Sequence, residues 1–376
     1  MNSVTRYEMA LHLAEGIGGV TARNLLTYFG SAEDIFKAKK NHLLHITGIG
    51  QKISQNLHEN KERLLALAEE ELERATKKDI QTIFIFDDAY PKRLKLIDDA
   101  PILIYQKGKA NLNTEKSIAI VGTRQATNYG KEFTEQLVSQ LKEHNVLIVS
   151  GLAYGIDIEA HKAALKYQLP TIAVLANGLD IIYPSVHKKI AEEMIEKGGL
   201  LLSEFPIGTK PDAPRFPARN RITAALADVV IVVESKRKGG AMITAQYAND
   251  YNRDVMAVPG SIYASSSEGC NFLIKNHQAH LLSKTQDLLE LMNWDIDKNK
   301  NSQKNILVIK DLNLPDLETN ILEILFERNQ ASLDELSILL KSPLGNISMA
   351  ILNLEMQDLI NALPGKRFSI KQKFYK

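Results

Sequence analysis

The chain of 376 residues contains very little cysteine and no excess of charge of either sign. Its one cysteine, Cys270, excludes a disulfide framework and a cysteine-based zinc site, and it favours a reducing compartment. The formal net charge of +1 means that nucleic-acid binding would need locally concentrated positive charge. No segment approaches the roughly 18 apolar residues of a membrane span, and the first residues lack a signal-peptide pattern. We therefore expect a cytoplasmic protein.

Metal-binding and catalytic motifs are also missing. The histidines show no helical spacing typical of a metal pair, and the sequence has neither GxGxxG nor GxxxxGK[ST]. No His-x-Glu or Cys-x-x-Cys pair is present for a deaminase zinc. Asp157 and His161 could form a dyad on one helix face. A position near the helix start, with hydrogen bonds to the turn or to His161, explains Asp157 more simply. We expect no metal, no cofactor and no catalytic residue.

An imperfect repeat occupies the first 75 residues. Glu15–Gly30 and Thr47–Asn60 each contain Gly-Ile-Gly, a short polar step and a helical pattern. This is the helix-hairpin-helix pattern of a SAM-like domain, in which a glycine turn presents backbone N–H groups to an anion at a helix start. Only Arg23 and Lys52 lie near enough to add positive charge. A turn that simply joins two helices therefore remains an alternative.

The central part of the chain alternates apolar runs with helical patterns, which predicts an α/β fold. Residues 79–110 read as short strands and turns that lead into it. The apolar runs show little alternation, so we expect strands buried on both faces of a doubly wound, mostly parallel, Rossmann-like sheet. The strand candidates are SIAIVG, VLIVSG, PTIAVLA, GLLLSE, DVVIVVE, DVMAVPG and HLLS.

The C-terminal part begins with a charged and polar segment that reads as a linker. Three helical patterns and a hairpin follow it, which predicts a winged helix. Its third helix, over residues 344–357, has no Lys or Arg and contains Glu355. A helix that reads a major groove needs donors, so we expect a protein contact or a structural role. The predicted domains are 1–75 helix-hairpin-helix, 76–295 Rossmann-like, 296–315 linker and 316–376 winged helix.

Glycine, hydroxyl and basic residues follow the predicted strands, where open parallel sheets bind their ligands. Gly122 and Gly151 let a ligand approach backbone N–H groups, and Arg124 can add a bidentate contact to a phosphate. Each turn taken alone is also explained as a tight connection between strand and helix. The candidate residues at these turns are Gly122, Thr123, Arg124, Ser150, Gly151, Lys238, Gly240 and Thr244.

The segment FPARNRI lies within a locally basic stretch of this nearly neutral chain. Residues 206–240 contain seven basic and three acidic residues. Guanidinium groups beside an aromatic ring suit single-stranded nucleic acid, whose phosphates pair and whose bases stack. An ion-pair network at a helix start is the alternative. The candidate residues here are Arg215, Phe216, Arg219, Asn220 and Arg221.

The motifs VGTR, SGLAYGIDIEAH, LANGLDIIYP, SEFPIG, FPARNRI, GGAMITA and AVPG follow one another within residues 80–283. This series resembles the DprA/Smf family of DNA-processing proteins of natural transformation. The resemblance implies a homodimer, formed through the Rossmann-like domain, that protects incoming single-stranded DNA and loads the RecA recombinase onto it. It implies no catalysis. The family's Gly-Ser-Arg, Ser-Gly and Arg-Asn-Arg turns fall on residues 122–124, 150–151 and 219–221.

An enzyme is the second hypothesis, because the predicted sheet resembles that of nucleotide phosphoribohydrolases. In those enzymes a Gly-Gly turn is followed by a threonine and then a glutamate. Here Gly239, Gly240 and Thr244 are followed by Gln246. An amide cannot act as the acid or base that hydrolysis needs, so the sequence favours the DNA-binding hypothesis.

Overall fold

The structure is a computed structural model that describes residues 4–46, 48–294, 307–308, 314–328, 330–357, 359–363, 367–370 and 374–375. The chain divides into two compact units, Met1–Met292 and Asn293–Lys376. The helical N-terminal part therefore shares a unit with the sheet. No helix within the described ranges is long and apolar enough to cross a membrane.

Within the described residues 4–46 and 48–77, the N-terminal part forms six helices, and the Gly-Ile-Gly turns precede two of them as the repeat predicts. Gly16 and Gly48 have φ values of +85° and +89°, a region that L side chains avoid and glycine adopts readily. Gly18 and Gly50 then cap the helices that follow. The helices are α1 Arg6–Leu13, α2 Gly19–Phe29, α3 Ala32–Lys37, α4 Lys40–Leu43, α5 Gln51–Glu59 and α6 Lys61–Lys77.

The first hairpin packs against the segment that enters the central sheet. A Cβ on Gly19 would lie 3.3 Å from the Asp99 carbonyl oxygen and still closer to that of Ala100. Arg23 donates to the carbonyl oxygens of Lys95 and Ile97 at 3.1 and 2.8 Å. The first glycine turn and Arg23 therefore connect the first hairpin to the segment before the sheet, as expected for a turn with a structural role. The start of α5 at Gly50 has open space around it.

The central sheet contains all seven predicted strands, together with two strands from the segment before them. Residues of β3 to β7 are buried throughout, as expected for Val, Ile and Leu runs covered on both faces. The strands are β1 Gln81–Phe84, β2 Leu103–Gly108, β3 Ser117–Val121, β4 Leu147–Ser150, β5 Thr171–Val174, β6 Leu200–Ser203, β7 Val229–Val232, β8 Asp254–Ala257 and β9 His280–Leu281.

The strand order is β1-β2-β6-β5-β4-β3-β7-β8-β9. Strands β3 to β9 pair in parallel, and β1 and β2 extend the sheet beyond β6 as antiparallel strands. The chain moves outward from β3 to β6 and then returns to β7 on the other side of β3. This reversal creates a crevice at the carboxyl ends of β3 and β7, where such sheets bind ligands.

Helices connect the strands and cover the sheet, and the two parts of this unit share one hydrophobic core. Two short 3₁₀ turns occur at Lys142–His144 and Ser185–His187. The helices are α7 Lys92–Lys95, α8 Asn128–Gln140, α9 Ile156–Lys166, α10 Lys188–Glu196, α11 Arg215–Ala225, α12 Gly240–Asp250, α13 Glu268–Lys275 and α14 Thr285–Leu291.

The second unit contains the three helices and the hairpin that the sequence predicts, around a core of its own. They are α15 Asp316–Arg328, α16 Leu333–Leu340, α17 Leu344–Met356, β12 Ile360–Leu363 and β13 Arg367–Ile370, with the short strand β11 Ala331–Ser332 on β13. That this unit acts as a winged helix stays a prediction. Within the predicted linker, β10 Leu307–Val308 pairs with β14 Phe374–Tyr375; residues 296–306 and 309–313 lie outside the described residues.

Candidate functional site

A cavity of about 610 Å³ opens at the crevice between the ends of β3 and β7. Its size is that of a site for a small organic ligand or part of a polymer rather than a single ion. The turns after β3, β4 and β7, one side of α11 and the start of α12 form its walls. The predicted residues that line it are Gly122, Thr123, Arg124, Gly151, Phe216, Arg219, Asn220, Lys238, Gly240 and Thr244.

The turn after β3 packs tightly on the start of α9. A Cβ on Gly122 would lie 2.8 Å from the Cβ of Ile156, so no larger residue fits there. Gly155 has a φ of +77°, and a Cβ on it would lie 2.7 Å from the Arg124 carbonyl carbon. These glycines allow the turns after β3 and β4 to touch, which places their backbones side by side at the cavity.

Glu234, at the end of β7, fixes the same turn from the opposite side. Its buried carboxylate accepts hydrogen bonds from the backbone N–H and the hydroxyl of Thr127, at 2.9 and 2.7 Å. Its carbonyl oxygen accepts from the Thr123 N–H at 2.7 Å. Thr127 in turn caps α8 through the Gly130 N–H. The two sides of the crevice are therefore joined by hydrogen bonds.

The floor of the cavity holds a buried carboxylate and a buried guanidinium beside Gly151. A Cβ at Gly151 would lie 2.6 Å from Arg219 Nη2 and even nearer to Asp157 Oδ2. Asp157 Oδ2 also accepts from the Ala153 N–H at 3.4 Å. Burial raises the pKa of Asp157, and the charge of Arg219 opposes that rise. Glycine at position 151 is what leaves room for both charged groups.

Arg219 carries the clearest sign of a ligand site. Its side chain is only 5% exposed, and its Nε is buried with no hydrogen-bond partner within the described part of the chain. Burial lowers the pKa of this guanidinium and Asp157 opposes the change, but an arginine stays cationic at neutral pH. A buried charged donor without an acceptor is costly unless a ligand supplies one. Phosphate oxygens are acceptors that suit a guanidinium.

One wall of the cavity is aromatic. The guanidinium carbon of Arg124 lies 5.5 Å from the ring centroid of Phe216, within the range of a cation–π contact. The ring of Tyr183 lies 5.7 Å from that of Phe216. Arg124 is exposed and forms no ion pair with any described carboxylate. This wall offers charge and flat apolar surface together.

The start of α12 forms the opposite wall. Its N-cap is Gly239, which has no capping side chain, and a Cβ on Gly240 would meet nothing within 4 Å. Backbone N–H groups at such a start favour an anion. Lys236 and Lys238 precede this start and also line the cavity. The described lining contains four cationic and two anionic side chains, namely Arg124, Arg219, Lys236, Lys238, Asp157 and Asp212.

Three predicted site residues do not line the cavity. The hydroxyl of Ser150 donates to the carbonyl oxygen of Ile120 at 2.6 Å inside the sheet, so only its neighbour Gly151 reaches the site. Arg215 lies over the ring of Phe205. Arg221 forms ion pairs. At this position, the alternative of an ion-pair network therefore describes the structure.

Arg221 lies between two carboxylates on the side of α11 that faces away from the cavity. Its Nη2 is 2.6 Å from Glu204 Oε2, and its Nε is 3.3 Å from Asp99 Oδ2. The side chains of Arg221 and Glu204 are each 15% exposed. Burial raises the pKa of Glu204, and Arg221 opposes that rise. Arg221 therefore holds α11 to the loop after β6 and to the Asp99 segment.

Sequence reasoning missed several lining residues, of which Asp157, Tyr183, Asp212, Thr223, Ser235 and Lys236 are polar or aromatic. Thr223 follows Arg219 by one helical turn, a spacing that shares a helix face. Its hydroxyl is buried without a partner in the described structure. The helical period of α11 could therefore have predicted that Thr223 faces the same site as Arg219. Tyr183 lies in a loop, where no helical or strand periodicity predicts which way a side chain points.

The described geometry does not form an Asp-His dyad. The ring nitrogens of His161 lie 2.7 Å from the Thr171 hydroxyl and 2.6 Å from the Gly151 carbonyl oxygen. Burial lowers the pKa of His161 to about 4, so Nε2 of the neutral ring donates to Gly151. Gln246 donates to Asp250 and does not line the cavity. His161 therefore supports the backbone after β4, and Gln246 lies on the surface of α12.

Comparison with known proteins relates this chain to DNA-processing proteins. A family model described as DNA recombination-mediator protein A matches residues 81–293, and one for a SAM-like helix-hairpin-helix tandem matches residues 10–60. Protein Smf of Synechocystis sp. is 33% identical over 98% of this chain and 99% of its own.

Two solved structures show the same fold. DNA processing protein A from Streptococcus pneumoniae matches with a TM-score of 0.66 and 34% identity, over 77% of this chain and 98% of that one. DNA processing protein A from Helicobacter pylori, described for its single-stranded DNA binding mode, matches with a TM-score of 0.52 and 33% identity, over 57% of this chain and 96% of that one. With a matched model spanning more than half of its length, the chain belongs to the DNA recombination-mediator protein A family.

Proposed function

We propose that this protein binds single-stranded DNA in the cavity between β3 and β7. The observation that carries the proposal is Arg219, a buried guanidinium at the cavity floor that lacks a hydrogen-bond acceptor at Nε. Arg124, Lys236 and Lys238 line the same cavity and add positive charge for neighbouring phosphates. The ring of Phe216 offers stacking that only unpaired bases can use. The single-stranded DNA binding described for the Helicobacter pylori relative supports the same substrate.

The proposal is tested by fluorescence anisotropy of the full chain with single- and double-stranded oligonucleotides. We expect tighter binding of the single strand, since a paired base cannot reach Phe216. Arg124→Ala should weaken that binding roughly 10- to 150-fold, the range of one charge-assisted hydrogen bond. The slope of log affinity against log salt should fall by about 0.7 for the lost phosphate contact.

Arg63→Ala is the matched control, because it removes an exposed arginine from α6. This variant should bind like the parent at every salt concentration. Equal binding of single and double strands by the parent, or equal losses in Arg124→Ala and Arg63→Ala, would contradict the proposed site.

We further propose that the protein is a cytoplasmic homodimer, formed through the sheet-containing domain, that protects incoming single-stranded DNA and loads RecA onto it during natural transformation. Family membership supports this role. A DNA-bound protein that loads RecA should shorten the lag of RecA filament formation on a single strand, and Arg124→Ala should shorten it less. Light scattering that shows a monomer at micromolar concentration would remove the dimer from the proposal.

A further inference from the structure

A buried carboxylate of the N-terminal helical part contacts a loop that leads to the cavity. Glu71 lies in α6 and is only 4% exposed, which is unusual for a glutamate. Its Oε1 accepts a hydrogen bond of 2.7 Å from the backbone N–H of Ile207, 136 positions further along the chain. Ile207 belongs to the β6–α11 loop, residues 204–214. The helical part and the sheet therefore meet at a charge-assisted hydrogen bond.

Arg74 makes a second contact from α6 to the same loop residue. Its Nη2 donates to the carbonyl oxygen of Ile207 at 3.3 Å, so α6 holds both backbone polar groups of that residue. Arg74 Nη1 also lies 3.6 Å from Glu71 Oε2. Burial raises the pKa of Glu71, and the Ile207 N–H and Arg74 oppose that rise. A buried carboxylate needs donors, and here the loop backbone supplies one of them.

The loop after β5 holds the next two residues of the β6–α11 loop. The Gly208 N–H donates to Asp180 Oδ1 at 2.8 Å. The carbonyl oxygen of Thr209 accepts from the Gly178 N–H at 3.0 Å. Residues 207–209 are therefore fixed from two sides, by α6 and by the loop after β5.

The wall of the cavity begins directly after this fixed stretch. Pro211, Asp212 and Ala213 line the cavity, and Phe216 follows in the first turn of α11. Lys210 alone separates residue 209 from this wall. The ring of Pro211 fixes its φ, so the chain has little freedom to absorb a displacement there. A shift of residues 207–209 would therefore move the wall.

We propose that Glu71 is a positioning residue for single-stranded DNA binding, which acts through the β6–α11 loop on the cavity wall that contains Phe216. This inference rests on the proposed function. Glu71 is not among the described residues that line the cavity. Without its hydrogen bond the loop occupies other arrangements, and only the fraction in the competent arrangement binds DNA. The N-terminal helical part thereby contributes to DNA binding independently of any contact by its hairpins.

Glu71→Met tests the proposal on the full chain, by anisotropy with a single-stranded oligonucleotide. Methionine is similar in size to glutamate but offers no oxygen to the Ile207 N–H. We expect the affinity to fall roughly 5- to 100-fold, up to the range of one charge-assisted hydrogen bond. Because no phosphate contact is lost, the slope of log affinity against log salt should match that of the parent. In Arg124→Ala, by contrast, this slope falls.

Two further variants separate positioning from a general loss of stability. Glu71→Gln retains an acceptor oxygen for the Ile207 N–H, so it should bind within about threefold of the parent. Arg93→Met is the matched control, because it breaks a partly buried pair with Asp228, whose atoms lie 2.6 Å apart. That pair lies at the amino ends of β3 and β7, opposite the cavity. Arg93→Met should lower the thermal stability without changing the affinity of the folded protein.

Arg74→Met provides the decision if Glu71→Met does not fold. Its side chain is 42% exposed, so folding tolerates the change, while one of the two hydrogen bonds to Ile207 is lost. We expect a loss of affinity of roughly two- to fivefold, the range of one weak hydrogen bond, with the parent's salt slope.

Three results would overturn the positioning role. They are parent-like binding by Glu71→Met, or by Arg74→Met where Glu71→Met does not fold; an equal loss in Glu71→Gln and Glu71→Met; and an equal loss in Arg93→Met and Glu71→Met. If the parent does not bind the single strand, or Arg124→Ala binds as the parent does, the proposed function itself fails. A loss in Arg124→Ala without one in Glu71→Met keeps the DNA site and removes only the role of Glu71.

Discussion

Arg219→Met should reduce the affinity for single-stranded DNA by roughly 30- to 1000-fold, the largest binding effect we expect from one substitution. The estimate corresponds to about 2–4 kcal/mol for removing one partner of a buried charged contact. Methionine keeps much of the side-chain volume and is neutral, so the packing of α11 is retained. Anisotropy titration with a fixed oligonucleotide at constant salt measures the loss.

Asp157→Asn should have the opposite effect and increase the affinity for single-stranded DNA. Asp157 lies beside Arg219 and offsets part of its charge, so the amide leaves a more positive floor and binding should tighten several-fold. The pH dependence follows from the same contact. Because burial raises the pKa of Asp157, lowering the pH toward that pKa neutralises the carboxylate and should tighten binding by the parent. In Asp157→Asn this pH response should be lost.

These expectations fail if Arg219→Met binds like the parent, or if Asp157→Asn weakens binding to the same extent as Arg219→Met. The second result would mean that the two residues matter as a structural pair and not through their charges. Thermal unfolding of both variants, measured without DNA, separates a loss of folded protein from a loss of affinity.

Arg221→Met should lower the free energy of unfolding by about 3–5 kcal/mol, the cost of leaving a buried charge without its partner. Glu204 is the residue left alone, because its carboxylate lies 2.6 Å from Arg221 and is largely buried. Asp99 contributes less, since its side chain is 43% exposed. Urea unfolding followed by circular dichroism measures the change. In contrast to Arg219→Met, the protein that remains folded should bind DNA within about threefold of the parent.

Replacing both partners tests the mechanism behind that loss. The double variant with Arg221→Met and Glu204→Gln contains no unpaired buried charge, so it should recover part of the stability that Arg221→Met loses. Glu204→Gln alone should also be less costly than Arg221→Met alone, because Arg221 retains Asp99. A double variant no more stable than Arg221→Met would exclude the buried carboxylate as the cause.

The strands and the second unit's helices were predictable because their signals are local. Uninterrupted Val, Ile and Leu runs marked β3 to β8, and the helical period of Asp316–Arg328 coincides with α15. The strand order was not predictable from such signals, nor was the addition of β1 and β2 to the edge at β6. The contact of Gly19 with Ala100 joins residues about 80 positions apart. Nothing in the residue types glycine and alanine predicts this contact.

The candidate site was largely predictable because glycine and arginine at strand ends have few structural reasons to be there. Among the predicted residues that do not line the cavity, Arg221 shares a motif with Arg219, which does. Two positions along a helix rotate a side chain by about 200°, so the two arginines face nearly opposite sides of α11. That period was readable from the sequence. The carboxylates that Arg221 meets, Glu204 and Asp99, were not, since they come from separate segments.

Glu234 has a consequence for the kinetics of binding. Because its hydrogen bonds to Thr127 and Thr123 fix the turn after β3, that turn loses little conformational entropy when a strand arrives. Association should then depend on diffusion and on attraction by Lys236 and Lys238, and salt should slow it. Differences between variants at the cavity floor should appear mainly as changes in how long the strand stays bound.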